Sequence, residues 1–308
     1  MIMQQTTNSI LMIRPINFRM NEQTAVNNYY QKVLDNLLPE SVNTNAQLEF
    51  DNYVKKLKSH GIQVIVISDI EGSDTPDSIF PNNWISFHEE GTVAMYPMFA
   101  ENRRLERRED VLEQVENEGF LIENIVDYTI AEEDDIFLEG TGSMIFDHSN
   151  KVVYAATSPR TKPALLTTIA KHIEYTPVIF EAMGKSNELI YHTNVMMCVG
   201  DTFISIGLDT IISEHREAVL NQIKTSGKEI IALTNDQVYN HFAGNMLQVK
   251  NKLNESILVM SEQAYNSLTE EQLAAFKKHN NHLLAVSIQT IEYIGGGSAR
   301  CMLAEIFY

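Results

Sequence analysis

Two cysteines occur in this 308-residue chain, Cys198 and Cys301, and their surroundings differ. Cys301 follows Gly295-Gly296-Gly297-Ser298-Ala299-Arg300 and precedes the apolar run Met302-Leu303-Ala304. Glycines let a backbone bend sharply or come close to a ligand. A thiol between such a turn and a rigid strand is well placed to attack an electron-poor carbon. A lone Cys entering an apolar strand is also a common small core filler. The choice therefore turns on what else the chain gathers around it. Cys198, inside the apolar stretch 195–199, reads as core.

Four other polar clusters sit at strand junctions. They are Pro81-Asn82-Asn83, Glu139-Gly140-Thr141-Gly142-Ser143, His192-Thr193-Asn194 and His241-Phe242-Ala243-Gly244-Asn245. With the Cys301 turn they recur about every 50 residues, a spacing typical of repeat architectures. Taken singly each has an ordinary reading: Asn in a turn, a turn carboxylate, a capping or surface histidine.

The elements between them follow from hydrophobic period. Strands are expected at 9–13, 62–67, 92–97, 144–146, 151–156, 195–199, 202–207, 246–249, 257–260 and 283–286. Helices are expected at 25–38, 46–60, 103–118, 163–172, 214–227 and 270–279. The 103–118 helix, with Arg103, Arg104, Arg107 and Arg108 among its acids, reads as a solvated charged face. No Pro/Ser-rich linker interrupts the chain, so a single domain over 1–308 is expected. Units of strands plus a helix set around an axis would bring the clusters together at its centre.

Composition excludes several classes. The formal charge of −18 opposes a nucleic-acid surface or an anionic membrane partner. Two cysteines make no disulfide framework and point to a reducing compartment. No apolar run reaches membrane-spanning length, and the N-terminal residues lack a secretory pattern, so a cytoplasmic location is expected. No Cys or His spacing suggests zinc, so no metal is expected.

Taken together, the order and spacing of these clusters resemble the guanidine-modifying superfamily: arginine deiminases, dimethylargininases and the glycine and inosamine amidinotransferases. The resemblance implies a five-bladed α/β propeller, the pentein fold, with the active site at its centre. It assigns Cys301 as the nucleophile and His192, in His-Thr-Asn-Val-Met-Met-Cys, as the catalytic histidine. It assigns Glu139, in Leu-Glu-Gly-Thr-Gly-Ser, as the acidic partner and Arg160 as the arginine for the substrate carboxylate. The N-terminal acidic motif aligns with Pro76-Asp77-Ser78-Ile79-Phe80-Pro81-Asn82-Asn83, giving Asp77 a place at the α-ammonium. Phe18 and Arg19 lie on a loop that could act as a lid. No organic cofactor is implied; the partner is a small amino acid, and the oligomeric state is left open, with a homo-oligomer as one option.

The chain departs from the pattern where much of the family grips a guanidinium with carboxylates. It carries Asn83 and Asn194 there. A guanidinium has donors only and calls for carboxylates, whereas a neutral ureido group has donors and one acceptor, which an amide matches. The expectation is a citrulline hydrolase. Cys301 would attack the ureido carbon, Glu139 would orient His192, and His192 would protonate the departing ammonia. Asn83, Asn194 and Asn82 would line the substrate. The alternatives are a guanidine hydrolase or amidinotransferase acting on arginine or methylated arginine, and a non-catalytic binding propeller.

Overall fold

A computed structural model describes residues 4–32 and 39–307. Its strands form five three-stranded sheets among the described residues. In the first, β1 (Ser9–Arg14) runs parallel to β2 (Gln63–Ser68). The second holds β3 (Ile85–His88), β4 (Thr92–Met95) and β5 (Asn124–Asp127). The third holds β6 (Ile145–Asp147), β7 (Val152–Ala156) and β8 (Thr176–Phe180). The fourth holds β9 (Met197–Val199), β10 (Phe203–Ile206) and β11 (Glu229–Ala232). The fifth holds β12 (Leu247–Lys250), β13 (Ser256–Ser261) and β14 (His282–Val286). The last strand, β15 (Ala304–Glu305), pairs antiparallel with β1, so the two ends of the chain close one sheet.

Every sheet repeats one plan. An inner strand is antiparallel to a middle strand, and the middle strand is parallel to an outer one. A parallel pair needs a crossover, and a helix supplies it in each blade. These helices are Pro39–Ser59, Glu109–Asn117, Pro163–His172, Ser213–Ser226 and Glu270–His279. The Pro163–His172 helix begins on Pro, whose missing N–H costs nothing at that position, and buries Leu166, Ile169 and Ala170 on one face. The Glu270–His279 helix starts from a Thr269/Gln272 capping box and ends on Lys277, Lys278 and His279, which suits its dipole. Inner strands β6 and β9 are wholly buried, and inner strands of different blades touch: β15 with β3, β6 with β9, β9 with β12.

Three expectations change. The charged helix at 103–118 is two elements: a 3₁₀ helix Glu101–Glu106, extended residues Arg107 and Arg108, then a helix Glu109–Asn117. The break places Arg103 and Glu106 inside the molecule, 2% and 3% exposed, rather than on a solvated face. The helix at 25–38 is, over its described part, a single turn at Glu22–Ala25 followed by turns. There the chain serves the site instead, since Asn27 bonds Arg160 and Asn28 bonds Gly295 and Gly296. The remainder of that stretch, 33–38, lies outside the described residues. The outer strands β5, β8 and β11 add edges that the hydrophobic pattern did not mark.

A short turn precedes each inner strand, and these turns meet at the centre. They are Pro81–Asn83, Gly140–Ser143, Thr193–Val195, the 242–245 loop and Ala299–Met302. Glycine is required where two turns touch. A Cβ on Gly140, whose φ is +44°, would lie 2.3 Å from the Asn82 carbonyl oxygen. One on Gly244 would lie 2.5 Å from the Val195 carbonyl oxygen.

Candidate active site

The central turns enclose a small cavity bounded by Asp77, Asn83, Arg103, Arg160, His192 and Cys301, among others. Its free volume is about 10 Å³, roughly what one water occupies. Cys301 is 3% exposed in the Ala299–Met302 turn. The Gln289–Gly295 helix that precedes it ends at Gly296 in the left-handed region, φ +63°. Tyr191 Oη donates to the Gly296 carbonyl at 2.6 Å, and Ser298 Oγ donates to Glu292 at 2.5 Å. Burial pushes the Glu292 carboxyl up to about 7, with hydrogen bonds from Ser298 and Ser261 working against the rise. The glycine turn is thus held from both sides.

Two side-chain amides point at the thiol. Asn194 Nδ2 lies 3.3 Å from Cys301 Sγ, and Asn245 Nδ2 lies 3.2 Å from it. On the opposite wall, His192 Nε2 sits 2.7 Å from Glu139 Oε2. The other Glu139 oxygen accepts from the Phe99 backbone N–H at 3.0 Å, and Arg160 Nη1 stands 3.6 Å from Oε2. Burial alone would raise the Glu139 carboxyl. Arg160, the hydrogen bond and charge of His192, and Arg103 outweigh burial and hold it at about 2. Burial pulls His192 down to about 4, Glu139 pulls it up, and Arg160 and Arg103 push it down. At neutral pH the pair is therefore a carboxylate and a neutral imidazole. Nε2–H donates to Glu139, and Nδ1 is left free to take a proton.

Arg103 is the residue that sequence reading placed on the surface. Its Nε and Nη2 form a paired contact with both Glu106 oxygens at 2.8 and 2.9 Å, and Nη1 donates to Asn83 Oδ1 at 2.8 Å. Burial raises the Glu106 carboxyl, and Arg103 works against that rise. The signal in the sequence was the i,i+3 Arg–Glu pair, which an exposed helix shows equally.

The remaining candidates fall into two groups. Asp77 lines the cavity. Its Oδ2 accepts from Asn21 Nδ2 at 2.9 Å and Thr24 Oγ1 at 3.1 Å, and Arg103 Nε stands 4.0 Å away. Asp77 Oδ1 is buried with no hydrogen-bond partner. Arg160 also lines the cavity, but its donors already reach Asn27 Oδ1 at 2.8 Å and the Thr24 carbonyl at 2.9 Å, while its guanidinium lies 4.9 Å over the Tyr191 ring. Asn82 sits behind the wall: its Oδ1 accepts from Asn83 Nδ2 and its Nδ2 donates to Thr141 Oγ1, both at 3.2 Å. Phe18 is 1% exposed, in the apolar cluster with Phe80 and Ile294. Its backbone N–H is held by Asn43 Oδ1, and the bonds to Asp77, Arg160 and the Gly295–Gly296 turn come from residues 21–28. Cys198 is buried in β9, and burial pushes its thiol up to about 12, as suits a core residue. Among the described residues no group of three or more His, Cys, Asp or Glu could hold a metal, and no helix is long and apolar enough to cross a membrane.

Five sheets of this plan, with a buried cysteine and a His–Glu pair at their centre, define the guanidine-modifying, or pentein, superfamily. Within it, residues 14–308 match the family model of the eukaryotic N,N-dimethylarginine dimethylhydrolases, and the chain belongs to that family of carbon–nitrogen hydrolases. No curated protein matches in sequence. Solved structures share the fold. The N-terminal domain of ArgZ, a cyanobacterial arginine dihydrolase, was solved bound to its product; it is 15% identical, with 97% of each chain covered and a TM-score of 0.72. Full-length ArgZ is 16% identical with a TM-score of 0.73, and 97% of this chain spans 40% of it. A dimethylarginine dimethylaminohydrolase caught as an adduct with S-methyl-L-thiocitrulline is 13% identical, covers 98% of this chain and 100% of its own, and has a TM-score of 0.65.

Proposed function

We propose that this protein is a cysteine-dependent hydrolase of the ureido group of citrulline, yielding ornithine, ammonia and carbon dioxide. The observation that carries the reading is the charge balance of the cavity. The cavity lining carries two arginines, Arg103 and Arg160, against one carboxylate, Asp77; Glu139 and Glu106, outside the lining, face Arg160 and Arg103. With Asp77 assigned to the α-ammonium, the lining has no further carboxylate to neutralise a buried guanidinium, which is costly to leave unpaired. Asn83 spends its acceptor on Arg103 and one N–H on Asn82, so it has an N–H to offer. A ureido oxygen accepts from that N–H; a guanidinium has nothing with which to accept.

The chemistry then runs in two halves. The Cys301 thiol gives its proton to His192 Nδ1, and the sulfur bonds to the ureido carbon. The oxyanion that forms is met by N–H donors, Asn83 among them. The carbon–nitrogen bond breaks, and His192 returns the proton to the leaving ammonia. Water attacks the S-carbamoyl enzyme and the C–S bond breaks. The carbamate released decays to ornithine and carbon dioxide. Glu139 holds the histidine in its productive tautomer throughout. Asp77 Oδ1, without a partner in the closed cavity, suits the substrate's α-ammonium, and Arg160 suits its carboxylate once Asn27 releases it. Segment 21–28 bonds Asp77 through Asn21 and Thr24, and Arg160 through Asn27, so a substrate taking Asp77 and Arg160 would displace it.

Family membership favours a second reading, in which arginine or a methylated arginine is the substrate, and the likeness to an arginine dihydrolase fits it. Removing two nitrogens from the guanidine carbon of arginine passes through a ureido species, so the two readings share a step. Purified protein incubated with millimolar citrulline, then assayed for ornithine and ammonia, tests the proposal. Absence of turnover rejects it, and citrulline accumulating from arginine selects the second reading.

A further inference from the structure

The turn of the fifth sheet, residues 242–245, reaches the centre through Asn245. We propose that Asn245 is a further catalytic residue: together with Asn194 it forms a two-amide cradle that holds Cys301 as the thiolate. The inference rests on Cys301 being the nucleophile, and it holds whichever amino acid is the substrate.

The orientation of the Asn245 amide is fixed by its neighbours. Its Oδ1 accepts from the Arg300 backbone N–H at 2.9 Å, which only an oxygen can do. Its Nδ2 donates to the Asn194 carbonyl at 2.9 Å, and the same nitrogen faces Sγ at 3.2 Å. The NH₂ group must therefore point at sulfur. The loop that carries it is rigid: Phe242 adopts a left-handed φ of +51°, Asn245 N–H closes onto the Phe242 carbonyl at 2.8 Å, and Gly244 lies against Val195 and Met196. Asn194 makes a second approach, with Nδ2 3.3 Å from Sγ, and its Oδ1 is buried without a partner. A side chain that leaves its acceptor unsatisfied in the interior is placed there for what its donor does.

Two N–H donors on one sulfur favour the charged form, because a thiolate accepts strongly and a thiol weakly. Arg103, Arg160, Asp77 and Tyr191 line the same cavity, but among the described residues the hydrogen bonds to Sγ come from these two amides. Arg300, next in sequence, turns its guanidinium to the Leu303 carbonyl and Glu305, each at 2.8 Å. His192 is neutral at rest. Fixed dipoles lie directly against the sulfur, and a ureido group arriving there adds no positive charge to them. In the ionisation the S–H bond breaks, the proton passes to His192 Nδ1, and the sulfur keeps the electron pair between two amides.

The test is the pH dependence of alkylation at Cys301 by iodoacetamide, followed by peptide mass so that Cys198 is counted apart. Asn245→Asp keeps an oxygen for the Arg300 N–H and removes the donor to sulfur. Asn194→Leu removes the other donor and breaks no other side-chain bond. Both variants should move the Cys301 profile to higher pH by at least about one unit, making alkylation at pH 7 roughly tenfold slower. Far-ultraviolet circular dichroism should be unchanged. A profile unmoved in both variants overturns the cradle. A rise in Asn245→Asp alone overturns it too, since repulsion between a carboxylate and a thiolate explains that result. A protein that shows both shifts and yet fails to hydrolyse citrulline retains the cradle and loses the substrate assignment.

Discussion

The two walls of the central cavity are built on opposite principles. The wall around Cys301 is uncharged: a glycine turn, a tyrosine hydroxyl and two asparagine amides. The facing wall is dense with charge, carrying Glu139, Arg160, Arg103, Glu106 and Asp77, and each of its three carboxylates lies within 4.0 Å of an arginine, Arg103 serving two of them. Buried ions are tolerable when they are paired and hydrogen-bonded. The charged wall thereby sets geometry and tautomer. Under the proposed function, the neutral wall keeps Cys301 where a neutral group can approach it.

Substitutions that erase one wall or convert it into the other break this contrast. The largest effect belongs to the reacting groups. Cys301→Ala should cost at least about 10⁴-fold in kcat, and His192→Ala about 10²- to 10⁴-fold, read as ammonia release. Next comes Asn83→Asp, which places a fresh carboxylate against Arg103 and deletes the N–H offered to the substrate. It should lower kcat/KM for citrulline by about 10²-fold and raise the preference for arginine relative to wild type, measured by competing the two substrates. Gly142→Ala tests how tightly the charged wall is packed. Its Cβ would lie 2.4 Å from Asn83 Nδ2 and 2.8 Å from His192 Nδ1, so something must shift. A loss of about 1–3 kcal/mol in denaturant unfolding, with reduced turnover, is expected.

The smallest effect is on pH dependence. His192 is lowered from an ordinary value of 6.5 to about 4, so between these values the unfolded chain binds the proton and the folded chain does not. Its contribution to stability is complete above pH 6.5 and is lost as pH falls toward 4. Replacing His192 with Asn should reduce the slope of unfolding free energy against pH in that window by up to about 1.4 kcal/mol per unit.

Much of this arrangement was legible because each blade announces itself. Strands such as Val152–Ala156 and helices such as Pro163–His172 follow from β-branched runs and from the spacing of Leu166, Ile169 and Ala170. The outer strands β5, β8 and β11 were not legible. Asn124–Asp127 is short and mostly exposed, so the parallel pairing with β4 holds it, not an apolar pattern of its own. Arg103 was misplaced for a related reason. A run of arginines among acids looks the same on a solvated helix and on a 3₁₀ turn whose members face inward. Asn245 stood in a recognised cluster, but nothing local distinguishes an amide in a turn from one aimed at sulfur three strands later. What the sequence lacked in each case was the partner, which closure of the ring supplies.

The central claim is that this cavity takes a neutral carbon centre. It is tested most directly by steady-state kcat/KM of the wild-type protein for citrulline, arginine and N,N-dimethylarginine under one set of conditions. The account predicts the highest value for citrulline, with ornithine as product. A higher value for arginine or dimethylarginine, with citrulline as the end product, would contradict it.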